Sequence, residues 1–208
     1  MPQSRSHVPP DLQTQPFSVT RAQRESLHRH AGRAVWLTGL SGAGKSTTAS
    51  ALESALHAQG RRTYVLDGDH IRNGLNGDLG FSEQDRNENI RRVAEVARMF
   101  VDAGTIVIAA FISPLRAQRE AARSLFAPGD FLEVFVSTPL AVAETRDPKG
   151  LYRKARNGQL PQFTGVDAAY EPPLNAELVL PAHLWSTDQC VQALMILLDT
   201  APGSSQPA

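Results

Sequence analysis

Short apolar segments alternate with amphipathic segments along most of the chain. Five apolar runs predict β-strands at residues 34–38, 63–66, 105–110, 131–136 and 177–180. Apolar residues at helical spacing predict helices at 45–59, 85–103 and 186–199, and a further helix that begins at Ser113-Pro114. Ser113 and Ser186 are interpreted as N-caps and Pro114 as a first-turn residue, because serine and proline favour those positions. Strands that alternate with helices predict an α/β fold, in which a parallel sheet is covered by helices on both faces.

This alternation lapses in three segments. Residues 1–16 and 201–208 are rich in Pro, Gln and Ser, and we expect a disordered N-terminal tail and a flexible C-terminal tail there. Residues 17–200 are then expected to form a single domain. Residues 146–173 are rich in Gly, Pro and charge and are too long for a simple connection, so they predict a mobile lid centred on residues 147–165.

Composition excludes several classes of protein. The 208 residues carry 21 basic and 21 acidic side chains, a balance that argues against a nucleic-acid-binding protein, which would have a basic excess. No stretch approaches the ~20 apolar residues of a membrane span, so no membrane association is expected. The single cysteine, Cys190, excludes an internal disulfide framework and favours a cytoplasmic location.

The segment GLSGAGKST, from Gly39 to Thr47, directly follows the first predicted strand. It fits the pattern G-x-x-x-x-G-K-[ST], in which backbone N–H groups of the loop and of the helix N-terminus point at phosphate oxygens. Lys45 is predicted to neutralise the β- and γ-phosphates of ATP, and the Ser46 hydroxyl to ligate Mg²⁺. The other predicted ATP contacts are Gly39, Leu40, Ser41, Gly42, Ala43, Gly44 and Thr47. The pattern indicates a P-loop NTPase-type fold but does not define the reaction.

Three features favour a small-molecule kinase among proteins with this loop. The chain lacks an N-K-x-D motif, with which GTPases recognise guanine. The strand predicted at 105–110 is followed by Phe111, where a motor-type ATPase would have a metal-binding Asp. The strand predicted at 63–66 is instead followed by Asp67 and Asp69, at a sheet edge where α/β folds bind ligands. One carboxylate could orient Mg²⁺ and the other could accept the proton of an attacking hydroxyl, although an Asp-Gly turn with solvated carboxylates is the alternative.

Glycines and charges are interleaved in the segment DGDHIRNGLNGDLGFSEQDRNENIRR, residues 67–92, which favours backbone folded closely around an anionic ligand. Arg72, Arg86 and Asn89 could bind an anionic acceptor, since arginine suits bidentate phosphate or sulfate contacts. A surface salt bridge is the alternative for Arg86. Phe81 could stack on a base or anchor the loop in the core.

The chain resembles the adenylyl-sulfate kinase family, from about Val19 to the last predicted helix. The resemblance rests on four contiguous motifs: GLSGAGKST, the segment 67–92, FISPLRAQR at 111–119, and RDPKGLYRKARNGQLPQFTGVDAAYEPP at 146–173. It implies phosphorylation of the 3′-hydroxyl of adenosine 5′-phosphosulfate by MgATP. It also implies a homodimer and functional coupling to a sulfate adenylyltransferase. Residues 1–16 have no counterpart in the family core, and residues 172–176 match loosely.

The resemblance also implies roles for individual residues. Asp69 would be the base or orienting group for the 3′-hydroxyl, with Asp67 near the metal. Arg72, Arg86 and Asn89 would hold the phosphosulfate, while Phe81 and Phe163 would sandwich the acceptor adenine. Lys149 and Lys154 would add positive charge near the transferred phosphoryl group. A buried anchor is the alternative for Phe163, and solvated side chains are the alternative for the two lysines.

Ser113 has two interpretations. The family resemblance assigns the serine of F-I-S-P as a phosphoserine intermediate, whereas helix capping alone would explain a Ser-Pro pair. Transfer in P-loop kinases usually runs directly from ATP to the acceptor hydroxyl, without a covalent intermediate.

Two other functions of the protein stay open: a kinase for another small metabolite, and a non-catalytic sensor that binds the nucleotide and regulates a sulfurylase.

Overall fold

The computed structural model describes residue 15 and residues 17–201. Its sheet has five parallel strands in the order β2-β3-β1-β4-β5. The strands are β1 (Arg33–Thr38), β2 (Thr63–Asp67), β3 (Ile106–Ala110), β4 (Phe131–Val136) and β5 (Leu178–Leu180). In the central strand β1, Ala34 is in register with Val107 on one side and Phe131 on the other. The five predicted strands are confirmed, each end lying within one residue of its expected position.

Eight helices lie in the described part of the chain. They are α1 (Arg21–His28), α2 (Lys45–Ala58), α3 (Gly68–Asn73), α4 (Glu83–Asp102), α5 (Arg116–Arg123), α6 (Leu140–Arg146), α7 (Leu151–Arg156) and α8 (Thr187–Thr200). The sequence predicted α2, α4, α5 and α8. The other four are only 6 to 8 residues long, and α1 and α3 bury no side chain. Helices this short contain too few turns to show an apolar periodicity.

The sheet separates two hydrophobic layers. On one face, Val35 and Leu37 of β1 pack with Leu52 of α2 and Leu194 of α8. On the other face, Trp36 packs with apolar side chains of α4 and α5. The alternation along β1 therefore packs helices against both faces of the sheet, as the sequence predicts. The carboxyl ends of the strands are not covered by these helices, and the connecting loops meet there.

The prediction that Ser113 caps α5 is wrong. The helix begins at Arg116 after Leu115, and Ser113 lies outside it with φ of 37°. Its hydroxyl is buried and accepts a hydrogen bond from Trp36 Nε1 at 3.1 Å, so a tertiary contact replaces the cap. Ser186 is confirmed as a cap, because its side chain accepts a hydrogen bond from the Gln189 amide.

The predicted tails lie outside the described residues, apart from Gln15 and Ala201. Ala201, which the sequence analysis assigns to the C-terminal tail, is buried against the α2–α8 layer. The predicted lid contains α7 and a small apolar cluster that includes Tyr152 and Phe163. Its mobility stays a prediction. No helix in the described ranges has the length and apolar character needed to cross a membrane.

Candidate active site

A cavity of about 700 Å³ lies at the carboxyl ends of β1, β2 and β3. The phosphate loop, α3, the first turns of α4 and the lid form its walls. Nearly all the predicted site residues line it, namely Ser41, Gly42, Gly44, Lys45, Ser46, Thr47, Asp67, Asp69, Arg72, Phe81, Arg86, Asn89, Ser113, Lys149 and Phe163. A cavity at this edge of a parallel sheet is where α/β folds bind ligands.

Glycine is required in the phosphate loop by conformation and by space. Gly39 has φ of 150°, and a Cβ there would lie 2.6 Å from the Val136 carbonyl oxygen. Gly44 has φ of 108° and directly precedes α2. Both backbone shapes are unfavourable for other residues, so the loop can close around phosphates only with glycine at these positions.

Lys45 is buried at the base of this loop. Its Nζ donates hydrogen bonds to the carbonyl oxygens of Gly39 at 2.9 Å and Leu40 at 2.7 Å. Burial lowers the pKa of Lys45 to about 7, while the nearby carboxylate of Asp67 opposes this shift. The ammonium is therefore poised to gain from an anionic ligand, which would offset its loss of hydration.

Ser46 and Asp67 form the oxygen-rich corner of the cavity. Ser46 Oγ donates to Asp67 Oδ2 at 2.6 Å, and the Asp69 amide donates to Asp67 Oδ1 at 3.0 Å as α3 begins. Burial on its own would raise the pKa of Asp67, but the two hydrogen bonds and the charge of Lys149 bring it below its ordinary value. A serine hydroxyl beside an ionised carboxylate fits a hard divalent cation such as Mg²⁺, which prefers oxygen ligands.

Asp69 and Lys149 meet across the mouth of the cavity. Their carboxylate and ammonium groups form an ion pair that joins α3 to the lid. Both side chains are more than half exposed, so water screens the pair and either group can exchange it for a ligand. The lid lysine is thus placed beside the carboxylate predicted to address the acceptor hydroxyl.

Two arginines frame the next part of the wall. The Arg72 guanidinium lies 4.5 Å from the ring centroid of Phe81 and donates to the Gly80 carbonyl at 2.9 Å. Arg86 donates to the Phe81 carbonyl at 2.9 Å and also to the Gln162 carbonyl on the lid. The salt-bridge alternative for Arg86 is not what the structure has, since its partners are two backbone carbonyls and the Thr164 hydroxyl. Among the residues that the structure describes, neither guanidinium group is in direct contact with a carboxylate, which suits an anionic ligand.

The two phenylalanines differ in burial. Phe81 is 61% exposed, whereas Phe163 is 8% exposed and packs edge-on against Tyr152, with ring centroids 5.0 Å apart. Tyr152 in turn donates to the Ser41 carbonyl of the phosphate loop at 3.0 Å. The buried-anchor alternative for Phe163 is therefore right about its packing, but the ring still lines the cavity. An adenine between the two rings stays a prediction.

Ser113 is 2% exposed and has partners on two sides. Its Oγ accepts a hydrogen bond from Trp36 Nε1 at 3.1 Å, and its carbonyl accepts one from Arg119 at 2.7 Å. Arg119 is itself buried and ion-paired with Glu133. An indole N–H can only donate, so Trp36 leaves the Ser113 hydroxyl proton free and cannot act as its base.

Some predicted residues do not line the cavity, and some unpredicted ones do. The Gly39 and Leu40 carbonyls instead hold Lys45, Ala43 is buried in the core, and Lys154 is exposed away from the wall. The lining residues that sequence reasoning left without a role include Arg146, Gln118 and Thr164. All three lie inside the family motifs at residues 111–119 and 146–173, and this position in the motifs was the signal that could have identified them.

Comparison with known proteins agrees with this geometry. A family model described as Adenylylsulphate kinase matches residues 31–181. An adenylyl-sulfate kinase of Klebsiella pneumoniae is 58% identical over 179 residues, covering 86% of this chain and 89% of that protein. One of Vibrio cholerae is 58% identical over 181 residues, covering 85% and 84%. A solved Mycobacterium tuberculosis APS kinase, in complex with AMPPNP and APS, superposes with a TM-score of 0.78 at 47% identity, over 82% of this chain and 99% of that one. The chain belongs to the adenylylsulphate kinase family.

Proposed function

We propose that the cavity binds ATP and adenosine 5′-phosphosulfate together, with the γ-phosphoryl group of ATP beside the acceptor 3′-hydroxyl. The protein is an adenylyl-sulfate kinase that releases ADP and 3′-phosphoadenosine 5′-phosphosulfate, in the activation of sulfate. The observation that carries the proposal is the meeting of the phosphate loop, Asp69 and two arginines in one cavity. A donor phosphate and an anionic acceptor can thus reach the same carboxylate.

On the donor side, the backbone from Gly39 to Thr47 would hold the ATP phosphates, and Lys45 would exchange its two carbonyl partners for phosphate oxygens. Transfer of a phosphoryl group requires positioning and charge stabilisation more than covalent chemistry. Lys45 would supply charge, and α2 would supply the N–H groups at its first turn.

Mg²⁺ fits the Ser46–Asp67 corner on chemical grounds. Ser46 Oγ would bind the ion, and Asp67 would orient it through water. When bound, the ion would neutralise charge on the β- and γ-phosphates. Asp67 suits this position because its hydrogen bonds keep it ionised at neutral pH.

On the acceptor side, Arg72, Arg86 and Asn89 would hold the phosphosulfate, and Asp69 would accept or orient the 3′-hydroxyl proton. Lys149 would leave Asp69 and contact the transferred phosphoryl group. The phosphoryl group carries more negative charge than the solvent-screened carboxylate, so it attracts the ammonium more strongly. Closure of the lid from 147 to 165 over the substrates would exclude water and so prevent hydrolysis of ATP.

We propose that Ser113 acts without forming a phosphoserine. Its contacts support this, because a nucleophilic serine needs a base. Within the described part of the chain, the side chain that hydrogen-bonds its hydroxyl is Trp36, which is a donor. Ser113→Ala is therefore expected to retain turnover, and wild-type protein mixed with γ-labelled ATP alone should hold no label after acid quench. Stoichiometric labelling that disappears on addition of the acceptor would contradict direct transfer.

Asp69→Asn tests the acceptor chemistry, with Asp78→Asn as its matched control. Asp78 is also exposed, but it is paired with Arg92 and does not line the cavity. Loss of a general base typically costs about 10²- to 10⁴-fold, so acceptor-dependent kcat should fall by that range in Asp69→Asn with little change in the KM for ATP. Asp78→Asn should keep kcat. A normal kcat in Asp69→Asn would remove the assigned role, while saturable acceptor binding by wild-type protein without turnover would favour the sensor.

A homodimer, functional coupling to a sulfate adenylyltransferase and a cytoplasmic location stay predictions from the sequence. The buried thiol of Cys190 is compatible with a reducing compartment. Light scattering on the purified protein at micromolar concentration would measure the molecular mass and so test the dimer.

A further inference from the structure

Asn76 is a buried polar residue that has no part in the scheme above. It lies in the connection between α3 and α4 and is 0% exposed. Its backbone N–H donates to the Ile71 carbonyl at 2.9 Å, and its carbonyl accepts from the Leu79 amide at 3.1 Å. These two bonds fix the backbone of the connection, so the direction of the Asn76 side chain is also fixed.

That side chain meets Asn89, which lines the cavity. Asn76 Nδ2 donates to Asn89 Oδ1 at 3.0 Å and lies 3.5 Å from the Asn89 main-chain carbonyl oxygen. A main-chain carbonyl in a helix cannot reverse its polarity. Because the group facing it must be a donor, the amino end of the Asn76 amide is held at this position, and the group it meets on Asn89 must be the acceptor oxygen.

The two ends of the Asn89 amide therefore have different surroundings. Its oxygen is occupied by Asn76. Its amino group is at the other end of the same planar amide, on a residue that lines the cavity. An amino group is attractive to phosphate or sulfate oxygens, whereas an amide oxygen in the same place would repel them. We infer that Asn76 is a positioning residue that orients the Asn89 amide with its N–H₂ toward the anionic end of the acceptor. The inference rests on the acceptor-binding role proposed for Asn89.

The side-chain carbonyl of Asn76 indicates that this residue has a functional role and is not present for packing alone. Within the described ranges, Asn76 Oδ1 is buried and has no hydrogen-bond partner. An unpaired buried carbonyl costs stability, and an apolar side chain of similar size would avoid that cost. Asparagine at this position is thus a poor choice for packing alone, but it supplies the donor that sets the polarity of Asn89.

The experiment compares four variants by steady-state kinetics and thermal unfolding: Asn76→Leu, Asn89→Leu, the double variant, and Asn73→Leu as the control. Asn73 is the exposed last residue of α3 and does not line the cavity. Without its donor the Asn89 amide can turn over, so Asn76→Leu should raise the KM for adenosine 5′-phosphosulfate by roughly tenfold, as for the loss of one hydrogen bond. The KM for ATP should stay constant. Tm should change little, because removal of the unpaired Asn76 carbonyl offsets the loss of the Asn76–Asn89 hydrogen bond. Asn73→Leu should match the wild type.

The double variant separates positioning from a direct contact. If Asn76 acts only through Asn89, adding Asn76→Leu to Asn89→Leu changes the acceptor KM no further. The inference is overturned if the two effects multiply, if Asn76→Leu leaves the acceptor KM unchanged, or if both substrates' KM values and Tm worsen together. An unchanged KM in Asn89→Leu would instead show that the proposed role of Asn89 has failed.

Discussion

Lys45 should take up a proton when the protein binds ATP. Burial lowers the pKa of this side chain to about 7 in the unliganded protein, so much of it is neutral at physiological pH. Beside the phosphates of ATP the ammonium form is strongly favoured. The proton must then come from the solvent as the complex forms.

The size of the effect follows from the pKa. With a pKa near 7, the neutral fraction, and so the uptake, is about 0.1 proton at pH 6, about 0.5 at pH 7 and about 0.9 at pH 8. Isothermal titration in buffers of different ionisation enthalpy measures this number as the slope of the observed enthalpy. Lys45→Arg is the control, because arginine keeps the positive charge and stays protonated throughout.

Subtracting the control removes protons that ATP itself gains or loses. The proton uptake of the wild-type protein, minus that of Lys45→Arg, should rise with pH over this range. Identical slopes for the two proteins at every pH, or an excess that falls as pH rises, would show that Lys45 is already protonated before ATP binds. The same pKa shift affects stability, because the pKa of Lys45 is lower in the folded state than in the unfolded state. Between these two pKa values the unfolded state therefore binds more protons than the folded state. Burial of the charged Lys45 therefore lowers the free energy of unfolding by its full amount below pH 7. The free energy of unfolding then rises with pH as the unfolded pKa of Lys45 is approached.

Two further substitutions test the lid and the aromatic wall. Tyr152→Phe removes the hydrogen bond to the Ser41 carbonyl and should lower the free energy of unfolding by about 1 kcal/mol in urea; an unchanged value would mean that the bond contributes nothing. Phe81→Ala should raise the acceptor KM by roughly tenfold with the KM for ATP unchanged, because stacking on a base contributes about 1–3 kcal/mol. Phe17→Ala, which truncates a ring 85% exposed and outside the cavity, is its control; equal kinetics in the two variants would exclude stacking by Phe81.

The parts of the site that were predictable from sequence are local in the chain. The phosphate loop places its glycines, Lys45 and Ser46 within nine residues, and a strand and a helix flank it. The Asp67–Asp69 pair follows the next strand, and the parallel order of the sheet brings it to the same edge. Strand periodicity and loop position alone were sufficient for these residues.

The contacts that the sequence did not predict join distant segments of the chain. Trp36 and Ser113 are 77 positions apart, and Arg86 reaches Gln162 across 76. The expected cap at Ser113 failed for the same reason, since a hydroxyl that could have capped a helix bonds an indole in the core instead. Local propensity could not reveal that competition, because tertiary contacts decided it.

Product analysis is the direct test of the proposed phosphoryl transfer. The protein is incubated with MgATP and adenosine 5′-phosphosulfate, ADP is measured by a coupled assay, and the acceptor product is separated and its phosphorylated position assigned. We expect ADP release that depends on the acceptor and equals the amount of 3′-phosphoadenosine 5′-phosphosulfate formed. ADP release that is independent of the acceptor, or a phosphoryl group at any other position, would contradict it.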